Sequence, residues 1–370
     1  LGPIIPCTDP LPTARWTKRS TGSGLPFRPD DGRPTEEATF LLVDDFNQDG
    51  HADLLTSVFG ESEPEYPEPV QLYMGTPTGF EHDPRISVEA LWQPTLGDVD
   101  GDGDRDVVLA GSEDWLRNDD GQLTPQQIHG MTHEYLPFTR LLAPIDLNQD
   151  GHLDLYGATT PQDGDVELLP DFIAWGQSNG TFQIDPSAHP STEGGMAFTA
   201  QWIDWTGDGH PEVFVANDKG YEFGGNRLWS WDTHPPEDRA PGLGANQTHD
   251  AMGAHIADWN RDGHPDIYLS VTAANLFLVS QPDGRFVDMT LVTGADPMFG
   301  LSDDILMGWG GIFTDHDIDG LLDLFVTLGD WWDEPGGARP EMKLHLLRSD
   351  GEKFDDVGPD IGLDASGSFR

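Results

Sequence analysis

The chain has 370 residues, of which 66 are acidic and only 19 are Lys or Arg, giving a formal net charge of −47. A phosphate backbone needs Lys and Arg to neutralise it, so this balance argues against nucleic acid as a partner. The single cysteine, Cys7, excludes an intrachain disulfide and structural zinc held by thiolates. No apolar run approaches the roughly 20 residues that span a bilayer as a helix.

Residues 1–37 are rich in Pro, Gly and charge and read as an N-terminal arm. One strand-like piece stands out, 15–25, R-W-T-K-R-S-T-G-S-G-L. It echoes 353–363, K-F-D-D-V-G-P-D-I-G-L. Both read as the last strand of a repeat followed by a connector.

The first regular unit begins with a β-prone run at 38–43 and continues into D-F-N-Q-D-G-H-A-D at 45–53. Oxygen-bearing side chains fall at positions one, three, five and nine (Asp45, Asn47, Asp49, Asp53), and Gly50 supplies a sharp turn at position six. Hard oxygens gathered around one point suit Ca²⁺.

The pattern returns five times. Its copies are Asp98, Asp100, Asp102, Asp106; Asp146, Asn148, Asp150, Asp154; and Asp204, Thr206, Asp208, Glu212. The last two are Asp258, Asn260, Asp262, Asp266 and Asp315, Asp317, Asp319, Asp323. The first residues are separated by 53, 48, 58, 54 and 57 positions. A period in that range signals an array of one supersecondary unit. Position twelve holds Thr56, Leu109, Gly157, Val215, Leu269 and Val326, so the bidentate Glu of an EF-hand is missing. A short β-prone run follows position nine instead, and each loop opens into a strand. The fourth loop, with Thr206 and Glu212, departs furthest and is expected to be the weakest site. Carboxylates this close repel one another unless a cation joins them, so up to six Ca²⁺ ions are expected.

A turn before the last strand recurs in five of the six repeats, at 76–79, 118–121, 177–180, 281–284 and 349–351, ending in Gly each time, whereas the fourth repeat runs from 226–231 into W-D-T-H-P-P-E-D-R with no comparable turn. Such turns between β-prone runs mark hairpins. Four short antiparallel strands per repeat and no long helical periodicity predict an all-β fold, a β-propeller. Six blades over 38–358 are favoured. The remainders 1–37 and 359–370, arm and tail, could instead contribute closing strands of a seventh.

The loops resemble the FG-GAP/VCBS repeats of integrin α-subunit propellers and of many bacterial secreted proteins. Residues 214–229, 252–269 and 307–326 are similar to propellers of the cartilage acidic protein and UnbV type. The resemblance covers roughly 38–358 and implies the propeller fold, Ca²⁺ binding and a secreted or cell-surface location. It also implies that position seven lends its backbone carbonyl: His51, Asp104, His152, His210, His264 and Leu321. Four of these are His, but Ca²⁺ takes oxygen, and a residue lending its carbonyl points its side chain away.

In a propeller the metal loops share one face, leaving the opposite face to longer connections. Those connections carry Tyr66, His133, Tyr135, Tyr221, Phe223, His249, Trp331 and Trp332. Aromatics on loops of a rigid scaffold form a candidate ligand face. Catalytic motifs are missing: there is no G-x-S-x-G, H-E-x-x-H or Walker loop, so no catalytic residue is assigned. The expectation is a Ca²⁺-stabilised extracellular module that recognises protein or glycan. The alternative is an enzyme on the same scaffold, a lyase or hydrolase acting on polysaccharide.

Overall fold

The computed structural model describes residues 38–58, 70–86, 88, 92–128, 139–160, 169–185, 188, 194–233, 235–297, 306–329, 343–361 and 363. These form six four-stranded antiparallel sheets, each in simple sequence order, set as the blades of a ring. The expected six-bladed β-propeller is what the described residues build.

The first strands of the blades are Ala38–Asp44, Pro94–Gly97, Thr139–Ile145, Ala197–Ile203, Ala251–Ala257 and Met307–Thr314. Those of blades one to six touch in succession, so they are the innermost strands around the central channel. Each runs into its Asp-rich loop, which turns the chain into the second strand. Only short helical turns interrupt the β structure, at Gly220–Phe223, Ala240–Leu243, Thr290–Thr293 and Gly358–Ile361.

The core lies between blades. Successive second-strand residues point to opposite faces of a sheet, and the register is strict. Tyr156 in blade three packs with Val213 and Val215 of blade four. Phe214 of blade four packs in turn with Ile267 and Leu269 of blade five. Tyr268 of blade five meets Leu324 and Val326 of blade six. The residue ten places after a loop's first Asp thus faces the next blade, and those nine and eleven places after it face the previous one. At about 25 cal/mol per Å² of buried apolar surface, these clusters dominate the stability of each junction.

A β-bulge interrupts the start of five of the inner strands. The register slips around Thr39, Arg140, Phe198, Met252 and Trp309. Each stands six residues before the first Asp of its loop, as does Trp92 in blade two. A bulge re-aims the side chain it carries, so the same register position is turned aside in blade after blade. At ~3.3 Å per residue, this end of the inner strands lies about 20 Å from the acidic-loop end.

Candidate functional site: acidic loops on one face, an aromatic and charged mouth on the other

Five of the six acidic loops have one construction; in loop two the Asp102 N–H turns to Asp100, and Asp98 accepts only from Gly103. The position-one carboxylate accepts N–H bonds from positions five and six, as when Asp45 takes those of Asp49 (3.0 Å) and Gly50 (2.8 Å). Asp146, Asp258 and Asp315 do the same. The position-five carboxylate accepts from position seven, His51 onto Asp49 at 2.8 Å. The histidine backbones are thereby fixed and their rings take no part in these bonds. Position six is always Gly with φ between 86° and 101°, a left-handed conformation that side chains resist.

Position nine is the surprise. Asp53, Asp106, Asp154, Asp266 and Asp323 are fully buried. One oxygen of each accepts the N–H of position two, and the other accepts an N–H from the third strand or the turn after it. Asp53 holds Phe46 (2.9 Å) and Gly75 (2.7 Å), and Asp323 holds His316 (2.9 Å) and Ser349 (2.8 Å). This residue ties loop to blade. Burial pushes Asp106 up to about 7 and Asp154 and Asp266 up to about 6, against the lowering effect of their N–H donors. A cation beside them would restore the charged form.

The fourth loop departs in a specific way. Glu212 Oε2 accepts the N–H of Trp205 at 2.7 Å, but no N–H among the described residues reaches Oε1. The guanidinium of Arg239 stands 3.6 Å from that oxygen and bonds to Asp232 at 2.6 Å. In loop two, Arg117 lies 2.9 Å from Asp100 and 3.3 Å from Asp102.

The donor set fits a hard divalent cation. Carboxylate oxygens of Asp98, Asp100 and Asp106 lie within 4.8 Å of one another, as do those of Asp315, Asp317 and Asp319. A cation would be held by positions one, three and five, with position nine beside it and the position-seven carbonyl on the same turn. The loops also touch in sequence. Gln48 at position four of loop one donates to Asp104 of loop two at 3.1 Å. Gln149 of loop three donates to the Gly209 carbonyl of loop four, and the guanidinium of Arg261 in loop five lies against Gly320 of loop six.

At the other end of the inner strands two of the bulged positions, Arg140 and Phe198, meet Trp92 of blade two. The Arg140 guanidinium lies between the Trp92 ring (4.4 Å) and the Phe198 ring (4.0 Å). A cation over aromatic faces is attracted to them, by ~0.5–2 kcal/mol per contact. Asp218 closes the end of the second strand of blade four and is buried. Burial raises its carboxyl, Asp250 adds to the rise, and Lys219 and Arg140 oppose it, so these four groups share one field. Tyr221, two-thirds exposed, has its hydroxyl raised first by Asp250, then by Glu222, with Asp218 also contributing.

Of the aromatic ligand-face residues expected from sequence, the structure brings together Tyr221 and His249. Gly220, which precedes Tyr221, packs so tightly on Thr248 and His249 that a Cβ would lie 3.0 Å from the Thr248 backbone. Phe223 shares Tyr221's helical turn and is half-buried. Tyr66, His133, Tyr135, Trp331 and Trp332 lie outside the described residues. Sequence reasoning missed Trp92, Arg140, Phe198 and Asp218. Counting back six residues from each loop would have found the first three, because large side chains recur at that position.

The FG-GAP-like repeat model matches residues 45–109, 98–157, 146–215 and 204–269, more than half of the chain, and the protein belongs to that family. No curated protein matches it in sequence. Among solved structures it is similar to a lectin from Agrocybe aegerita, described as recognising non-reducing terminal N-acetylglucosamine. Identity there is 17%, coverage 88% of this chain and 81% of the lectin, and TM-score 0.53. A Lactobacillus plantarum protein is 12% identical over 87% and 84% of the two chains, with TM-score 0.49. An exo-β-1,3-galactanase from Phanerochaete chrysosporium is 9% identical over 91% and 66%, with TM-score 0.41. At these identities the likeness is one of fold.

Proposed function

We infer that this is a secreted, Ca²⁺-stabilised propeller that recognises a glycan or protein ligand with the face opposite its acidic loops. The observation that carries this is the mouth formed by Trp92, Arg140, Phe198, Asp218, Asp250 and Tyr221. It sets hydrogen-bond donors and acceptors beside aromatic faces on a rigid scaffold, which is what polar ligands with apolar faces require. The similar lectin is compatible with a glycan. Ca²⁺ has a structural role in this reading: it neutralises the loops and clamps the first two strands of each blade.

One observation favours a second reading. Burial first, and the neighbouring Asp250 carboxylate after it, hold Asp218 above its ordinary range. Paired carboxylates with separated protonation are what glycoside hydrolysis uses. A glycan array and a polysaccharide-degradation screen, run on one Ca²⁺-loaded sample, separate the two. Binding without turnover supports recognition, and turnover lost in Asp218→Asn supports the enzyme. Neither binding nor turnover, with a protein partner also missing from pull-down, overturns both.

A further inference from the structure

The fourth repeat departs from the others at Thr206, at Glu212 and in the run W-D-T-H-P-P-E-D-R that stands where a Gly-ended turn is expected. These departures come together beside His210. The third strand of blade four, Arg227–Ser230, leads into that run and brings Asp232 to the position-seven side chain of loop four. Asp232 Oδ1 stands 3.5 Å from His210 Nδ1. A carboxylate oxygen of Asp208, position five of the loop, completes a group whose three ligand atoms lie within 4.8 Å of one another. Among the described residues no other position-seven histidine, whether His51, His152 or His264, belongs to such a group.

The 3.5 Å separation is informative. A hydrogen bond between an imidazole and a carboxylate closes to ~2.7–2.9 Å, and His345 Nδ1 meets Asp356 Oδ2 at 2.7 Å in blade six. Ligands held ~2.0–2.2 Å from a tetrahedral ion stand roughly 3.3–3.6 Å apart. His210 and Asp232 keep the second distance.

Two further features fit a cation at this place. The Arg239 guanidinium takes Asp232 Oδ2 at 2.6 Å and leaves Oδ1 turned to His210. Outer partners of this kind orient a ligating carboxylate. Glu212 is 1% exposed, and its Oε1 accepts no hydrogen bond among the described residues. Burial raises its carboxyl, and the charges of Asp208 and Asp232 add to the rise. One guanidinium thus stands against three carboxylates, and the cluster stays net negative.

We propose that Asp208, His210 and Asp232 form a transition-metal site, different in chemistry from the Ca²⁺ expected inside the loops. A mixed imidazole and carboxylate set suits Zn²⁺, whereas Ca²⁺ takes oxygen only. The His210 carbonyl stays with the loop while its ring serves the new site, and Asp208 is common to both. Three protein ligands leave the fourth corner of the tetrahedron to water or to a donor on another molecule.

Calorimetric titration of the tag-free chain with Zn²⁺ in excess Ca²⁺ tests the proposal, whether or not the loops hold Ca²⁺. His210→Ala keeps the loop backbone and removes only the ring, so Zn²⁺ affinity is expected to fall by ~10–100-fold or more. Asp232→Asn should weaken it as well. His264→Ala removes the same ring from loop five and should change nothing. Circular dichroism establishes that each variant is folded. Equal Zn²⁺ affinity in the native chain and His210→Ala overturns the proposal, as does an equal loss in His264→Ala. No Zn²⁺ binding at all, or Zn²⁺ displaced by the excess Ca²⁺, overturns it too. In crystals soaked in Zn²⁺, an anomalous peak is expected ~2.0–2.2 Å from His210 Nδ1; peaks only elsewhere would remove the ring from the site and overturn the assignment.

Discussion

Arg239 stands 3.6 Å from Glu212 at the place where the other five loops receive a backbone N–H of their own blade. The fourth loop has therefore exchanged a neutral donor for a resident cation. Removing one partner of a buried charge pair typically costs ~3–5 kcal/mol. Arg239 is partly exposed, so Arg239→Ala is expected to cost about 2 kcal/mol. The loss should be larger in chelator than in Ca²⁺, because only an added cation can then compensate Glu212. Urea unfolding of both proteins in both conditions checks this; equal losses in the two would contradict it.

If the loops take Ca²⁺ as proposed, the same exchange is expected to make loop four the weakest site. Thr206 supplies a hydroxyl where the others supply an amide or carboxylate, and Arg239 already offsets part of the negative charge. Anomalous scattering from crystals grown at limiting Ca²⁺ should show the lowest occupancy there. Full occupancy at loop four beside partial occupancy elsewhere would sink the idea.

Chelation should be costly overall. An ion that binds only the native state stabilises it by about 2.7 kcal/mol at a hundredfold excess over its dissociation constant. EDTA is expected to lower the melting temperature sharply and Ca²⁺ to restore it. An unchanged melt in excess chelator would remove the metal from the account.

The pH dependence of the stripped protein has a definite sign. Asp106, Asp154 and Asp266 are raised to about 7, 6 and 6 in the fold, above the unfolded value near 3.8. The folded state holds their protons more tightly, so their contribution is full below the unfolded value and is lost as pH rises through 6 to 7. His255 runs the other way. Burial lowers it to about 4, and its Nε2 accepts the Gly311 N–H at 2.8 Å. Its contribution is present above about 6.5 and lost as pH falls through 4. Between pH 6.5 and 8 the carboxylates act alone, and the EDTA-treated protein should lose melting temperature across that window. Saturating Ca²⁺ should flatten the slope, and a stripped protein that gains stability from 6.5 to 8 would contradict the assignment.

Recognition and stability should separate by face. Tyr221→Ala removes an exposed ring and should leave the melting temperature nearly unchanged while weakening ligand binding by ~2 kcal/mol if it is a hot spot. Asp319→Ala should do the reverse in saturating Ca²⁺. The paired measurement is melting temperature and affinity for both variants. Binding lost in a folded Asp319→Ala protein, with Tyr221→Ala unaffected, would move the functional face to the acidic loops.

The six loops and the blade grammar were legible in the chain because their determinants are local: nine-residue spacing, a glycine turn and a following β-prone run. What lay between distant residues was not. The burial of position nine depends on N–H groups 12 to 26 residues downstream, and Glu212 meets its guanidinium 27 positions later. The Arg140 stack draws on three blades and on a bulge whose extra residue leaves no local mark. Tyr221 and His249 were readable as exposed aromatics, but Asp218, whose charge acts on Tyr221, looked like one acid among many.

The side chains at position four set the scale on which the ring would respond to the proposed ions. Gln48, Gln149 and Arg261 each span to the following loop, whereas the corresponding residues of loops two and four are Gly101 and Gly207, which have no side chain to extend. The odd loops are nearly alike, D-F-N-Q-D-G-H-A-D, D-L-N-Q-D-G-H-L-D and D-W-N-R-D-G-H-P-D, while the even ones diverge. The mechanical period of this propeller is thus a doublet of blades. Vacating one loop perturbs its doublet partner directly and reaches the next doublet only through the apolar junction, so ion loss should proceed in pairs.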